Sequence, residues 1–195
     1  MHEIIYKYLY LHPDSALLKG MIWQFATYMF LHDPDDLMHI LFNMLTFYFI
    51  APHLEYSIGK KRFLRFFFLA GFSGAFLHVI AGMIFPSIFS APAIGASGAV
   101  VGVIAAFALK NPHARFYLYF LMPLEARYII PLILIVDAIF YLSGSNIAVL
   151  VHAGGLVCAI VSFGGTSYLK NNASAVKRLF RRRLKVIKRD DDYWN

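Results

Sequence analysis

A chain of 195 residues that is 59% hydrophobic and only 15% charged, with a mean hydropathy of +0.61, is too apolar for a soluble domain of its size. Its formal net charge of +7 points first to nucleic acid, but the placement of that charge along the chain points to a membrane surface instead. The lone cysteine, Cys158 in an apolar run, excludes an intrachain disulfide and reads as a packing residue.

Met1 to Pro13 carries charges and tyrosines without the apolar stretch of a signal peptide. Leu17 to Leu31 mixes Trp23, Phe25, Tyr28, Met29 and Phe30 with Lys19 and Gln24. It is too short and too polar to span a bilayer, and reads as an amphipathic segment lying in the interface. Asp33-Pro34-Asp35-Asp36 is a turn whose acids suit the start of a following helix.

Five apolar runs follow: Leu37 to about Glu55, Phe63 to Phe85, Ser97 to Leu109, Tyr128 to Leu142, and Ile147 to about Tyr168. Each is read as a membrane span. Pro86 to Ile94 is an uncharged loop, 110–127 a polar connector and Ser143-Gly144-Ser145-Asn146 a short turn. From Lys170, Val176, Leu179, Phe180, Leu184 and Ile187 recur at helical spacing against Arg181, Arg182, Arg183 and Lys185, a basic amphipathic helix for an anionic leaflet. The expected fold is therefore an all-α polytopic bundle. Residues 1–36 form an interfacial segment, 37–169 the transmembrane domain and 170–195 a basic tail.

With alternating sides, one face receives four basic residues at 60–65, three at Lys110, Arg115 and Arg127, and nine in the tail. Only Lys7 and Lys19 fall opposite. The positive-inside rule puts the richer face, with the C-terminus, in the cytoplasm and suggests the plasma membrane. The bilayer accounts for the basic charge, and no nucleic-acid partner is expected.

Depth can be counted as well. Ser97 stands thirteen residues before Lys110, roughly 20 Å of helix at ~1.5 Å per residue, against a hydrocarbon core of about 30 Å. If Lys110 marks the cytoplasmic boundary, Ser97 lies below the outer surface and the loop before it dips into the membrane, where irregular backbone needs protein or a water-filled cavity around it. His39 and His152 reach a similar depth if their helices leave the core near Pro52 and Gly164.

Ser97, in Gly95-Ala96-Ser97-Gly98, needs a base to act as a nucleophile, and His152 is the best candidate. His39 and Asn43 share a helix face at i and i+4 and can donate to an oxyanion beside the Ser97 amide. Gly98 and Gly102, and Gly155 and Ala159, are small-xxx-small patterns that let two helices approach closely. Each residue alone has a blander use in packing or interhelical hydrogen bonding. His78 and Asp137, also intramembrane, are assigned structural or pore-lining roles, and His53 and His113 fall near the interfaces. No metal site or cofactor is expected.

These residues carry a resemblance. Gly95-Ala96-Ser97-Gly98 resembles the GxSG motif of rhomboid intramembrane serine proteases, His39-Ile40-Leu41-Phe42-Asn43-Met44 their HxxxN motif, and His152-Ala153-Gly154-Gly155 their catalytic histidine segment. Trp23 to His32 is similar to the family's first loop, and the likeness covers roughly residues 15–170. It implies a catalytic dyad of Ser97 and His152 without a third acid. It also implies an oxyanion site from His39, Asn43 and the Ser97 amide, and cleavage of transmembrane protein substrates. The family core has six spans, and the first has no counterpart among the five seen here. The usual Trp-Arg reads Trp23-Gln24, and Val101 stands where an aromatic often supports the histidine. The competing readings are a catalytically inactive rhomboid-fold protein that binds membrane clients and a small transporter or channel, the latter disfavoured by the lack of an inverted repeat.

Overall fold

The computed structural model describes residues 2–33, 37–118, 122–143 and 149–164; the side chains of residues 2, 3, 39, 42, 116–118 and 122 are outside that description. The expected basic tail from 170, the expected turn at 143–146 beyond Ser143 and the acidic stretch at 34–36 fall outside the described residues.

The chain opens with α1 (His2–Leu9), α2 (Pro13–Leu18) and α3 (Gln24–Thr27), the last continued by a 3-10 turn to Phe30. Two long helices follow, α4 (Leu37–Ile58) and α5 (Lys60–Ile84), broken only by Gly59 at a φ of 84°. That left-handed backbone is available to glycine at little cost, and it turns α5 back along α4. A single-turn helix α6 (Pro86–Phe89) precedes α7 (Ser97–Lys110). After the connector come α8 (Ile129–Leu142) and α9 (Val149–Ala159), which runs on as π-helix to Gly164.

Each apolar run is thus helical where described. Among the described residues only α5 is both long and apolar enough to cross a bilayer by length and composition, and α7 and the α9 segment are shorter apolar helices. Large apolar side chains point outward on α4 (Leu41, Leu45, Phe49), α5 (Leu69, Phe76) and α8 (Leu134, Ile135, Ile139). An apolar exterior of this extent marks a surface that something apolar covers.

The connector amends the all-helical expectation. Arg115–Leu118 (β1) pairs antiparallel with Met122–Glu125 (β2), with Arg115 opposite Glu125 and Tyr117 opposite Pro123. Phe116, Tyr117 and Leu118 favour a pleated surface, and Asn111-Pro112 has just ended α7. The run is too short for a stable helix, so it pairs as a hairpin.

The central helix is α7, whose residues from Gly98 to Ala108 are all buried. It lies against α5 and α9 at backbone-contact distance. A β-carbon at Gly102 would lie 2.7 Å from the Ala70 β-carbon and 3.1 Å from the Gly155 carbonyl oxygen, and α9 meets α5 as closely, with a β-carbon at Gly154 only 2.5 Å from the Gly74 α-carbon. The order of these contacts sets the directions. Gly98 and Gly74 both meet Val151, while Gly102 meets Ala70 and Gly155, so α5 runs antiparallel to α7 and α9 runs parallel to it.

The N-terminal segment is packed into the same interior. Leu11, Ala16, Tyr28 and Met29 share one buried cluster with Ala75 and Val79 of α5, Ala99 of α7 and Val151 of α9. Gln24 and Tyr28 turn their polar ends inward onto backbone. Gln24 is fully buried and receives a hydrogen bond from the His12 amide at 3.1 Å, and the Tyr28 hydroxyl donates to the Gly71 carbonyl at 2.7 Å.

Candidate active site

Ser97 is the first residue of α7, and the loop leading to it is held from three directions. Leu11 and Ala93 exchange two backbone hydrogen bonds of 3.0 Å, an isolated antiparallel bridge. The Gly95 amide donates to the Tyr28 carbonyl at 2.8 Å, with Gly95 at a φ of 101° that a side chain would strain. His78 of α5, almost fully buried, places Nε2 3.0 Å from the Ala91 carbonyl oxygen, which can only accept, so Nε2 carries the proton. His78 thus anchors the loop; the sequence left structural and pore-lining roles both open for it.

The serine's amide is one of the four N–H groups that the first turn of a helix leaves without an intrahelical acceptor, at the positive end of the helix dipole. Ser97 itself is half-buried, with Ala96 and Gly98 buried on either side.

His152 stands in the first turn of α9, three residues after Val149. The residue before it, Val151, touches Gly98; three residues on, Gly155 sits against the Gly98 carbonyl oxygen and 3.3 Å from the Gly102 amide nitrogen, measured from an added β-carbon. The small residues at 98, 102 and 155 therefore bring the starts of α7 and α9 together. Among the described residues, no hydrogen bond joins Ser97 to His152. Catalytic hydrogen bonds are often loose before substrate binds.

Asp137 is what the imidazole does bond. Its carboxylate, on α8, accepts from His152 Nδ1 at 2.9 Å through Oδ1 and 3.0 Å through Oδ2. The side chains are 8% and 15% exposed, so this pair sits largely out of solvent. Sequence reasoning noticed Asp137 and gave it no part in the site, and the family resemblance implies no acid there. The available signal was an ionisable side chain in the middle of an apolar run, which demands a partner.

Asn43 is buried in α4. His39 lies one turn earlier on the same helix, its side chain outside the described residues. α4 pairs with α5 as the other arm of a hairpin, so it runs with α7, and the His53 and Phe107 rings meet edge-on at 6.0 Å. Asn43 and Ser97 each stand ten residues before that contact on their own helices.

Residues 19–167 match the rhomboid domain family. The chain is 31% identical over 147 residues to rhomboid protease GluP of Bacillus subtilis (strain 168), covering 74% of this chain and 26% of that protein. It is 25% identical over 141 residues to the mitochondrial RHOMBOID-like protein 12 of Arabidopsis thaliana, covering 66% of this chain and 42% of the relative. With RHOMBOID-like protein 1 of the same plant it shares 33% identity over 99 residues, 49% of this chain and 23% of the relative. The chain thus spans less than half the length of each of these relatives. With the family match running through the loop at Trp23, the serine helix and the histidine helix, this chain belongs to the rhomboid family, a family of integral membrane proteins.

Proposed function

We propose that this protein is an intramembrane serine endopeptidase that cleaves transmembrane protein substrates with Ser97 as nucleophile and His152 as general base. The observation that carries the reading is the backbone contact of Gly98 with Gly155, which draws the first turns of α7 and α9 together. The relative named as a rhomboid protease supports the same reaction class.

In the acylation step His152 Nε2 takes the proton of Ser97 Oγ as Oγ bonds to the scissile carbonyl carbon. The carbonyl oxygen becomes anionic and is met by the Ser97 amide, with His39 and Asn43 as further donors. Collapse breaks the C–N bond, and the proton on Nε2 passes to the leaving amine. Water then attacks the acyl carbon, giving a proton to Nε2 that returns to Oγ when the acid is released. A helical substrate hides its carbonyls in its own hydrogen bonds, so it must unwind before Ser97 can attack.

The apolar runs act in this reading as five spans, with residues 1–36 interfacial, the tail from 170 on the cytoplasmic leaflet of the plasma membrane and cleavage toward the outer leaflet. A fluorophosphonate probe applied to the purified chain in detergent tests the chemistry. Labelling of the native protein, abolished by Ser97→Ala and by His152→Ala, is expected. A native chain that takes no label, or a Ser97→Ala chain that labels equally, overturns the reading. Client binding that survives Ser97→Ala without cleavage by either form favours the catalytically inactive alternative.

A further inference from the structure

We infer that Asp137 is a positioning residue for the reaction: it holds the His152 ring with Nδ1 protonated, so that Nε2 faces Ser97 as a free base. The inference rests on the protease reading above and goes beyond the Ser97–His152 dyad.

The argument is one of proton inventory. A carboxylate oxygen accepts hydrogen bonds, and both Asp137 oxygens lie on one ring nitrogen, at 2.9 Å and 3.0 Å, which points to Nδ1 as the donor. In a neutral imidazole, one protonated nitrogen leaves the other as a lone pair. With Nδ1–H committed to Asp137, the basic nitrogen is Nε2, the one a serine needs. When Nε2 takes the Ser97 proton the ring becomes an imidazolium, and its positive charge then lies beside the Asp137 carboxylate. The Nδ1 proton stays on nitrogen throughout.

A tie between two helices is the plainer use of such a pair. A tie alone is served by Asn, Gln or Ser, which form interhelical hydrogen bonds without the desolvation cost of a buried carboxylate. The carboxylate differs from those in stabilising a transient positive charge. Both oxygens converge on the single atom Nδ1, which fixes the direction of its N–H bond. Asp137 comes from α8 and His152 from α9, so the orientation depends on how those two helices pack rather than on local geometry.

The test uses the full chain in detergent with a fluorophosphonate probe, separating the maximal labelling rate from the half-saturating concentration. Asp137→Asn keeps the side-chain volume, and is expected to lower the maximal rate roughly 10²-fold with little change in half-saturation. Asp137→Glu is expected to recover part of the rate. Labelling of Asp137→Asn at the native maximal rate, or a loss confined to half-saturation, overturns the inference. An independent readout needs neither turnover nor a folded variant. In native protein with 15N-labelled histidine, the His152 resonances should report a protonated Nδ1 and an unprotonated Nε2, and the opposite tautomer overturns the inference. A native chain that takes no probe defeats the protease reading instead, and the ring tautomer still reports whether Asp137 sets it.

Discussion

Gly155 on α9 rests against the carbonyl oxygen of Gly98 on α7 with no room for a methyl group between them. The obstruction is backbone, which cannot swing aside as a flexible side chain does. Gly155→Ala is therefore expected to push the two helices apart, costing about 1–3 kcal/mol of stability, and to slow probe labelling of Ser97 more than tenfold. Gly71→Ala is the contrast. The three atoms nearest to its β-carbon would be Cε, Sδ and Cγ of Met29, the far end of an adaptable side chain, so near-native labelling is expected. Thermal unfolding and labelling rates measured on both variants check the pair.

The bridge between Leu11 and Ala93 predicts a distant effect. Leu11→Pro deletes the amide that donates to the Ala93 carbonyl, whereas Leu11→Val keeps it and trims only a methylene. Probe labelling should fall strongly in the proline variant and stay within a few-fold of native in the valine variant. Equal rates in the two would show that the loop before Ser97 does not depend on this hydrogen bond.

His78 anchors the same loop through the Ala91 carbonyl. His78→Phe fills the space but removes the donor, leaving a buried carbonyl oxygen short of a partner, with an expected loss of about 1–3 kcal/mol. His78→Gln can present an amide N–H to that oxygen and should recover part of the loss. Thermal unfolding in one detergent, with all three proteins compared, provides the check.

The ion pair of Asp14 with Lys19, 3.1 Å apart, gives the opposite expectation. The hydrogen bond from the Lys19 ammonium holds the Asp14 carboxyl below its usual range. A lowered folded-state value means stability that is present above the usual carboxylate range and lost as pH falls through the lowered value. At 58% and 59% exposure solvent screens nearly all of it, so Asp14→Asn should shift stability by less than about 0.5 kcal/mol between pH 3 and pH 7. A larger shift in pH-dependent unfolding would contradict this.

The helices were legible where an apolar run has hard edges. Leu37 follows the acidic sequence Asp33-Pro34-Asp35-Asp36, Ser97 follows a proline-punctuated loop, and Asn111-Pro112 closes α7, so these ends were read to within a few residues. The hairpin was not legible, because four residues of Arg-Phe-Tyr-Leu carry too little periodicity to separate strand from connector. Nor was the inward packing of Tyr28 and Met29. Aromatics near an interface suit headgroups and cores alike, and only Gly71, forty-odd residues away, distinguishes the two. Asp137 marks the boundary most clearly. Its cost in an apolar run was visible, but its partner stands fifteen residues away on another helix, a relation that spacing within one element does not encode.

The bridge from Leu11 to Ala93 and the contact of Gly98 with Gly155 also set an order of events. The loop before the serine is completed by residues near the start of the chain, and the serine helix is completed by the last helix described. Pairings so far apart in sequence form late, after the cost of closing long loops has been met. During synthesis, no chain that stops short of α9 contains both halves of the site. On the proposed reading, Ser97 can therefore meet His152 only after α9 has packed against α7.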